Sequence, residues 1–261
     1  MNERAYFVSD IHLESLEARN GQSLLRFLHS VAADPVVSDI FWLGDIFDFW
    51  LSGHDVFVKK YEPLWAPLRT LKKRGARLVY FEGNHDLHVK PFFEKDLGFE
   101  VYTDCRYEVL TGRVVRLEHG DLINQDDLNY LRWRAFARHP LVEPLAHLLP
   151  GSFWKKVGES LSMKSRQKSR HYRHENEQAI RKMIHDHASR AYQEKAFDLI
   201  ISGHMHVKVD ETLEIEGKKV RNINLGSWLE PHPEVLLLEA GHEPRWMGLE
   251  SFSKGVSKVR P

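Results

Sequence analysis

The chain has 261 residues, 42% hydrophobic and 28% charged, which suits a folded globular protein with one large domain and room for an insertion. Its 37 Lys and Arg balance 37 Asp and Glu, so the whole-molecule basic footprint of a nucleic-acid-binding protein is absent and no nucleic-acid partner is expected. A single cysteine, Cys105, excludes an intrachain disulfide and has no partner for a cysteine metal site, so it reads as a buried thiol in a reducing compartment.

In chain order, Ala5 to Val8 is a short apolar run that predicts a strand. It is preceded by no basic and apolar leader, and no run of 18 apolar residues occurs, so the expected location is cytoplasmic. From Ser23 to Ala33, residues Leu24, Leu25, Phe27, Leu28, Val31 and Ala32 recur at helical spacing. Ile40 to Leu43 predicts a second strand. Val56 to Lys73 predicts a helix that Pro63 and Pro67 kink or split, and Leu78 to Phe81 predicts a third strand. This β-α-β-α-β order argues for a parallel sheet with helices on its faces. Asp10, Asp45 and Asn84 each follow one of these strands, at the carboxyl ends where such sheets place ligands.

Val114 to Glu118 predicts a strand that delivers His119, and Phe197 to Ile201 one that delivers His204. Between them the pattern turns helical, over Asp126 to His139, Leu141 to Leu149, Ser152 to Met163 and Glu175 to Glu194. An insertion over residues 124–195, set between two strands that carry site residues, would cap the site. Beyond His206, Glu211 to Glu216, Lys219 to Asn224 and Val235 to Glu239 alternate with period two and predict a second, antiparallel sheet. The expected fold is a single α/β domain over residues 1–261. It is a two-sheet α-β-β-α sandwich with a helical cap insertion.

Five short blocks end in side chains that can bind a metal: Asp10-Ile11-His12, Gly44-Asp45, Gly83-Asn84-His85-Asp86, His119-Gly120-Asp121 and Gly203-His204-Met205-His206. Residues i and i+2 on a strand end share a face, which pairs Asp10 with His12 and His204 with His206. Seven donors serve two cations only if one carboxylate is shared, and Asp45 offers two oxygens with a full charge. Asn84 adds a neutral oxygen. Mixed imidazole and oxygen donors suit manganese, with iron and zinc as alternatives, better than magnesium or calcium alone. Two such ions would clamp the attacking and leaving oxygens of a phosphate ester. Any one of these histidines alone would be an ordinary core or surface residue; the ordered set would not.

These blocks, in this order from Asp10 to His206, resemble the calcineurin-like metallophosphoesterases. The resemblance implies one ion on Asp10, His12, Asp45 and His206, and a second on Asp45, Asn84, His119 and His204. It makes His85 the catalytic histidine that contacts the phosphate or protonates the leaving oxygen, with Asp48 and Asp86 orienting the ligands. Within that superfamily the chain resembles the UDP-2,3-diacylglucosamine pyrophosphatase branch of lipid A synthesis. The shared stretches are Gly44 to Trp50, His119-Gly120-Asp121 followed by Asp126-Asp127-x-x-Tyr130, and Asn224 to Trp228. That branch implies hydrolysis to UMP and 2,3-diacylglucosamine 1-phosphate, a cap that shelters acyl chains, and peripheral contact with the inner membrane. Carried over residue by residue, Asp127, Ser165, Ser169 and Tyr172 become substrate contacts.

Two departures stand against the narrower resemblance. His85 occupies the place where the best-known members carry Arg, and Tyr172 falls where a substrate-contacting Lys stands. A phosphodiesterase or phosphatase with another nucleotide or phosphodiester substrate therefore stays open. A non-catalytic scaffold on the same fold is opposed by the complete ligand set. The insertion is basic, with eleven Lys and Arg against five Asp and Glu from Lys155 to Lys195. Phe153, Trp154, Val157 and Leu161 share one helical face beside Lys164, Arg166, Lys168 and Arg170. Such a segment is either a solvated face or the lining of an acyl pocket next to a lipid headgroup.

Overall fold

In this computed structural model, which describes residues 4–148, 150, 153–154 and 176–255, the apolar runs become buried strands whose side chains alternate between two cores. The first half of the chain gives β1 (Arg4–Val8), α1 (Arg19–Ala33), β2 (Val37–Trp42), β3 (Trp50–Leu51), α2 (Asp55–Lys60), α3 (Trp65–Lys73), β4 (Arg77–Phe81), β5 (Asp86–Leu87), α4 (Lys90–Phe93) and β6 (Glu100–Tyr102). β7 (Arg106–Leu110) and β8 (Arg113–Leu117) follow, then α5 (Leu128–Ala137), α6 (Val142–His147) and a helix over 176–194. The chain continues through β9 (Leu199–Ser202), β10 (Lys208–Ile215), β11 (Lys218–Leu225), β12 (Glu234–Glu239) and β13 (Arg245–Gly248).

One sheet has the order β13-β12-β1-β2-β4-β6 and the other β10-β11-β9-β8-β7. In the first, β1 runs parallel to β2 and β2 to β4, with Phe7 opposite Phe41 and Phe41 opposite Val79. Period two then sorts the side chains. Ala5, Phe7, Phe41 and Val79 face Val115, Leu117, Ile201 and Ile223 of the other sheet, and the Phe7 and Phe41 rings stack at 4.7 Å. Tyr6, Val8, Ile40 and Trp42 point the other way, onto Leu24, Phe27 and Leu28 of α1 and Leu68 and Leu71 of α3. Phe27 and Leu28 are wholly buried, and each such side chain contributes about 1.5–3 kcal/mol. The outer face of the second sheet is covered by the helix over 176–194, whose Ala188 and Ala191 meet Ile200, Leu213 and Val220. The α-β-β-α sandwich is therefore present.

The prolines split a helix as expected, and other expectations need correction in detail. The helix foreseen from Val56 to Lys73 is divided: Pro63 sits in a 3-10 turn, Glu62–Leu64, and Pro67 lies in the first turn of α3, where its missing N–H has no intrahelical partner to lose. Val235 to Glu239 does not join the second sheet. As part of β12 it pairs antiparallel with β1, Ala5 opposite Leu238, because Val235 to Leu238 are all buried and need cover on both faces. The second sheet is also mixed, since β9 runs parallel to both β8 and β11. Cys105 is half-buried rather than fully enclosed, and that burial pushes its thiol up. α5, α6 and the helix over 176–194 all lie between β8 and β9, but the last packs on the second sheet as a layer of the sandwich, whereas the sequence predicts a cap over the whole stretch 124–195. The segment from Ser152 to Met163 lies outside the described residues apart from the helical pair 153–154.

Candidate metal centre

The strand ends of β1, β2 and β9 turn sharply, and the turns use a strained backbone. Asp10, His12, Asp45, His204 and His206 have φ of 50°, 47°, 53°, 65° and 55°. Non-glycine residues in this left-handed region cost about 1–3 kcal/mol each and persist where the surroundings impose them. Backbone bonds between the first two loops do so: Asp10 N–H donates to Gly44 O at 3.1 Å and His12 N–H to Asp45 O at 3.0 Å. The motif glycines leave space for the donors themselves. A Cβ on Gly83 would lie 2.1 Å from Asp45 Oδ1, and one on Gly203 would lie 2.4 Å from Asp10 Oδ2.

The ligand atoms of Asp10, His12, Asp45 and His206 lie within 4.8 Å of one another, and so do those of Asp45, His119 and His204. Asp45 belongs to both groups. Its Oδ2 is 3.8 Å from His12 Nε2, while its Oδ1 is 3.7 Å from His119 Nε2. Asn84 joins the second group through Oδ1, 3.3 Å from His119 Nε2. In the first group, His206 Nε2 is 3.0 Å from Asp10 Oδ1 and 2.9 Å from His12 Nε2.

These donors fit divalent cations. Asp10 Oδ1 is a buried carboxylate oxygen that faces the Nε2 atoms of His206 and His12, so a cation there would be met by an anionic oxygen and two imidazoles. His119 Nδ1 donates to Leu43 O at 2.7 Å, which fixes the tautomer and leaves the Nε2 lone pair facing Asp45 and Asn84. Burial, reinforced by the neighbouring His119, lowers His204 to about 4, so its imidazole is neutral and free to ligate near pH 7. Burial opposes the cation at His119, yet Asp45, Asp10 and Asp121 outweigh it and hold that ring above the ordinary histidine value. Burial opposes the anion at Asp10, and His206 outweighs it.

The expected supporting residues surround the two groups. Asp86 joins two loops: Oδ1 accepts from Asp45 N–H at 3.1 Å and Gly83 N–H at 2.7 Å, while Oδ2 accepts from Ile46 N–H at 2.7 Å and the Tyr80 hydroxyl at 2.6 Å. Burial, then the charge of Asp45, pushes its carboxyl up to about 7. His85 lies beside the first group, its ring 4.8 Å from that of His12. It donates from Nδ1 to the Asp48 carbonyl at 2.9 Å; burial opposes the cation, yet Asp45 and that carbonyl outweigh it and hold the ring above the ordinary histidine value, so the charged ring presents an Nε2 proton. The Asp48 carboxylate approaches His12 and His85 within 4.8 Å.

Of the four expected substrate contacts, Asp127 alone lies among the described residues. Asp127 is exposed and caps α5, its Oδ1 accepting from Tyr130 N–H at 2.9 Å. Ser165, Ser169 and Tyr172 lie outside the described residues. Phe153 is exposed, and Trp154 packs half-buried against the core beneath α1 and α3. Sequence reasoning missed Arg134 and Arg138, which reach Asp121 from α5; the four-residue spacing of Tyr130, Arg134 and Arg138 was the available signal.

Residues 4–208 match the calcineurin-like phosphoesterase family. The chain belongs to that family. Its members' chemistry makes this protein a metal-dependent hydrolase, and the clustered histidines and aspartates form its divalent-metal site. Two UDP-2,3-diacylglucosamine hydrolases are similar over most of both chains. The Azotobacter vinelandii protein is 28% identical, covering 85% of this chain and 89% of its own. The Stenotrophomonas maltophilia protein is 28% identical, covering 90% and 94%. A predicted phosphoesterase of known structure from Streptococcus pneumoniae aligns over 96% of this chain and 91% of its own, at 14% identity and a TM-score of 0.42.

Proposed function

We propose that the protein hydrolyses the diphosphate of UDP-2,3-diacylglucosamine to UMP and 2,3-diacylglucosamine 1-phosphate, a step of lipid A synthesis, with two divalent cations, manganese foremost. The observation that carries the chemistry is Asp45, whose two oxygens face separate donor groups. Asp10, His12 and His206 complete one group, and Asn84, His119 and His204 the other. A metal pair in such a site supplies Lewis acidity and lowers the pKa of water. The protein's own groups then orient the ester. His85, its Nδ1 committed to the Asp48 carbonyl, directs Nε2 at the phosphate or the leaving oxygen. Asp86 keeps the Asp45 and Asn84 loops in register.

The substrate rests on the hydrolases that match nearly end to end. The insertion supports it from a second side. Leu128, Trp133, Phe136, Leu141, Leu148 and Phe153 are all exposed on or beside its helices, an apolar surface suited to acyl chains or to the inner membrane face. No helix among the described residues is long and apolar enough to cross a membrane, so the contact proposed is peripheral. His85 in place of Arg favours a second reading, another nucleotide or phosphodiester substrate on the same metals. The two are separated by assaying purified protein with manganese on UDP-2,3-diacylglucosamine, UDP-glucose and cyclic nucleotides. Release of UMP from the diacylated substrate alone supports the first reading, whereas preferred cleavage of either other compound selects the second.

A further inference from the structure

We propose that Arg138 is a positioning residue for the Asn84–His119–His204 half of the site, an inference that rests on the ligand reading above. α5 is built inside out. Its exposed side carries Leu128, Trp133 and Phe136, while the side turned to the sandwich carries Tyr130, Arg134 and Arg138, spaced by four along one face. The helix therefore docks by hydrogen bonds and ion pairs rather than by an apolar stripe.

The focus of that docking is Asp121, buried in the loop that presents His119. Its Oδ2 accepts from the Tyr130 hydroxyl at 2.9 Å, Arg134 Nε at 2.7 Å and Arg138 Nη2 at 3.2 Å. Arg138 does more than neutralise it. The same Nη2 donates to Glu82 O at 3.0 Å and Gly83 O at 3.4 Å, the two carbonyls that precede Asn84. Its Nη1 donates to Thr103 O in the loop after β6. The Arg138 side chain is only 10% exposed, and its guanidinium ties the loop of Asn84 to the loop of His119. Tyr130 extends the contact toward the third donor, its ring 5.7 Å from that of His204. No comparable bond from α5 reaches Asp10, His12 or His206 among the described residues. A planar fork can hold a carboxylate and two carbonyls together, where an ammonium acts as a point charge. Arg138 thus couples the seating of the insertion to one metal position and not to the other.

The test is a calorimetric manganese titration of the full chain, stripped of metal by chelation, with wild type beside Arg138→Ala and Arg138→Lys. Wild type is expected to take two ions. In Arg138→Ala one ion keeps its affinity, and the other weakens by about 10–100-fold, the range for losing a group that orients a metal ligand. Arg138→Lys should fall between the two. Melting of the metal-free proteins reports folding; if Arg138→Ala fails to fold, Arg138→Lys carries the comparison, with one ion weakened and the other kept. Unchanged affinity for both ions in the folded variants overturns the role of Arg138 alone, and equal weakening of both ions overturns its restriction to one half. Fewer than two ions on wild type overturns the ligand reading, and this proposal with it.

Discussion

His85 touches both groups of donors without belonging to either. Its N–H donates to Asp45 Oδ1 at 2.9 Å, and its ring is anchored on the Asp48 carbonyl. His85→Ala should therefore leave the metals in place and slow turnover by about 100- to 10,000-fold, the worth of a positioned acid or phosphate contact. Metal content and kcat on bis-p-nitrophenyl phosphate check this together; unchanged turnover, or lost metal, would remove the assigned role. The seven donors were legible because each is local to a strand and the few residues after it, as Gly44-Asp45 follows β2. The support around them was legible only in part: Asp86 stands in the Gly83 to Asp86 block, but its reach to Asp45 N–H across 41 positions, and that of Arg138 to Gly83 O across 55, depend on the fold and not on local spacing.

Among the elements, β8 and the helix over 176–194 are joined by charge. Glu118 is buried, accepts from Arg116 Nε at 2.8 Å and meets His187 Nε2. Burial opposes ionisation of Glu118, but His187 and Arg116 outweigh it and hold the carboxyl below its ordinary value. A carboxyl depressed on folding stabilises above its unfolded pKa, and that contribution fades as pH falls toward the folded value. Glu118→Gln, which leaves Arg116 poorly compensated, should cost about 3 kcal/mol at pH 7 and less near pH 3.5. Urea unfolding at the two pH values measures the gap, and a gap that does not narrow on acidification contradicts the assignment. The exposed apolar side of α5 carries a different expectation. Trp133→Ser with Phe136→Ser should alter stability by no more than about 0.5 kcal/mol per site. The double variant should weaken cosedimentation with anionic vesicles and raise the Michaelis constant for an acylated substrate, leaving a small chromogenic diester unaffected. Equal losses on both substrates would make that face structural. Element order was readable where apolar runs stand between polar loops, as in β1, β2, β4 and β9. β6, β7 and β13 are short and mixed with charge, and the pairing of β12 with β1 depends on contacts across 229 to 235 positions.

At the scale of the whole molecule, two sheets and their covering helices hold five strained loop residues in place, Asp45 with its shared carboxylate among them. Cations that bind this arrangement and not the unfolded chain add stability by mass action, about 2.7 kcal/mol at a hundredfold excess over Kd. Chelation should accordingly abolish hydrolysis and lower the melting temperature, and manganese should restore both. The measurement that tests the central claim most directly is metal content after equilibrium dialysis against manganese, for wild type and Asp45→Ala. A carboxylate shared by both groups predicts two ions per chain in wild type and loss of both in the variant. Two tightly held ions in Asp45→Ala would contradict it.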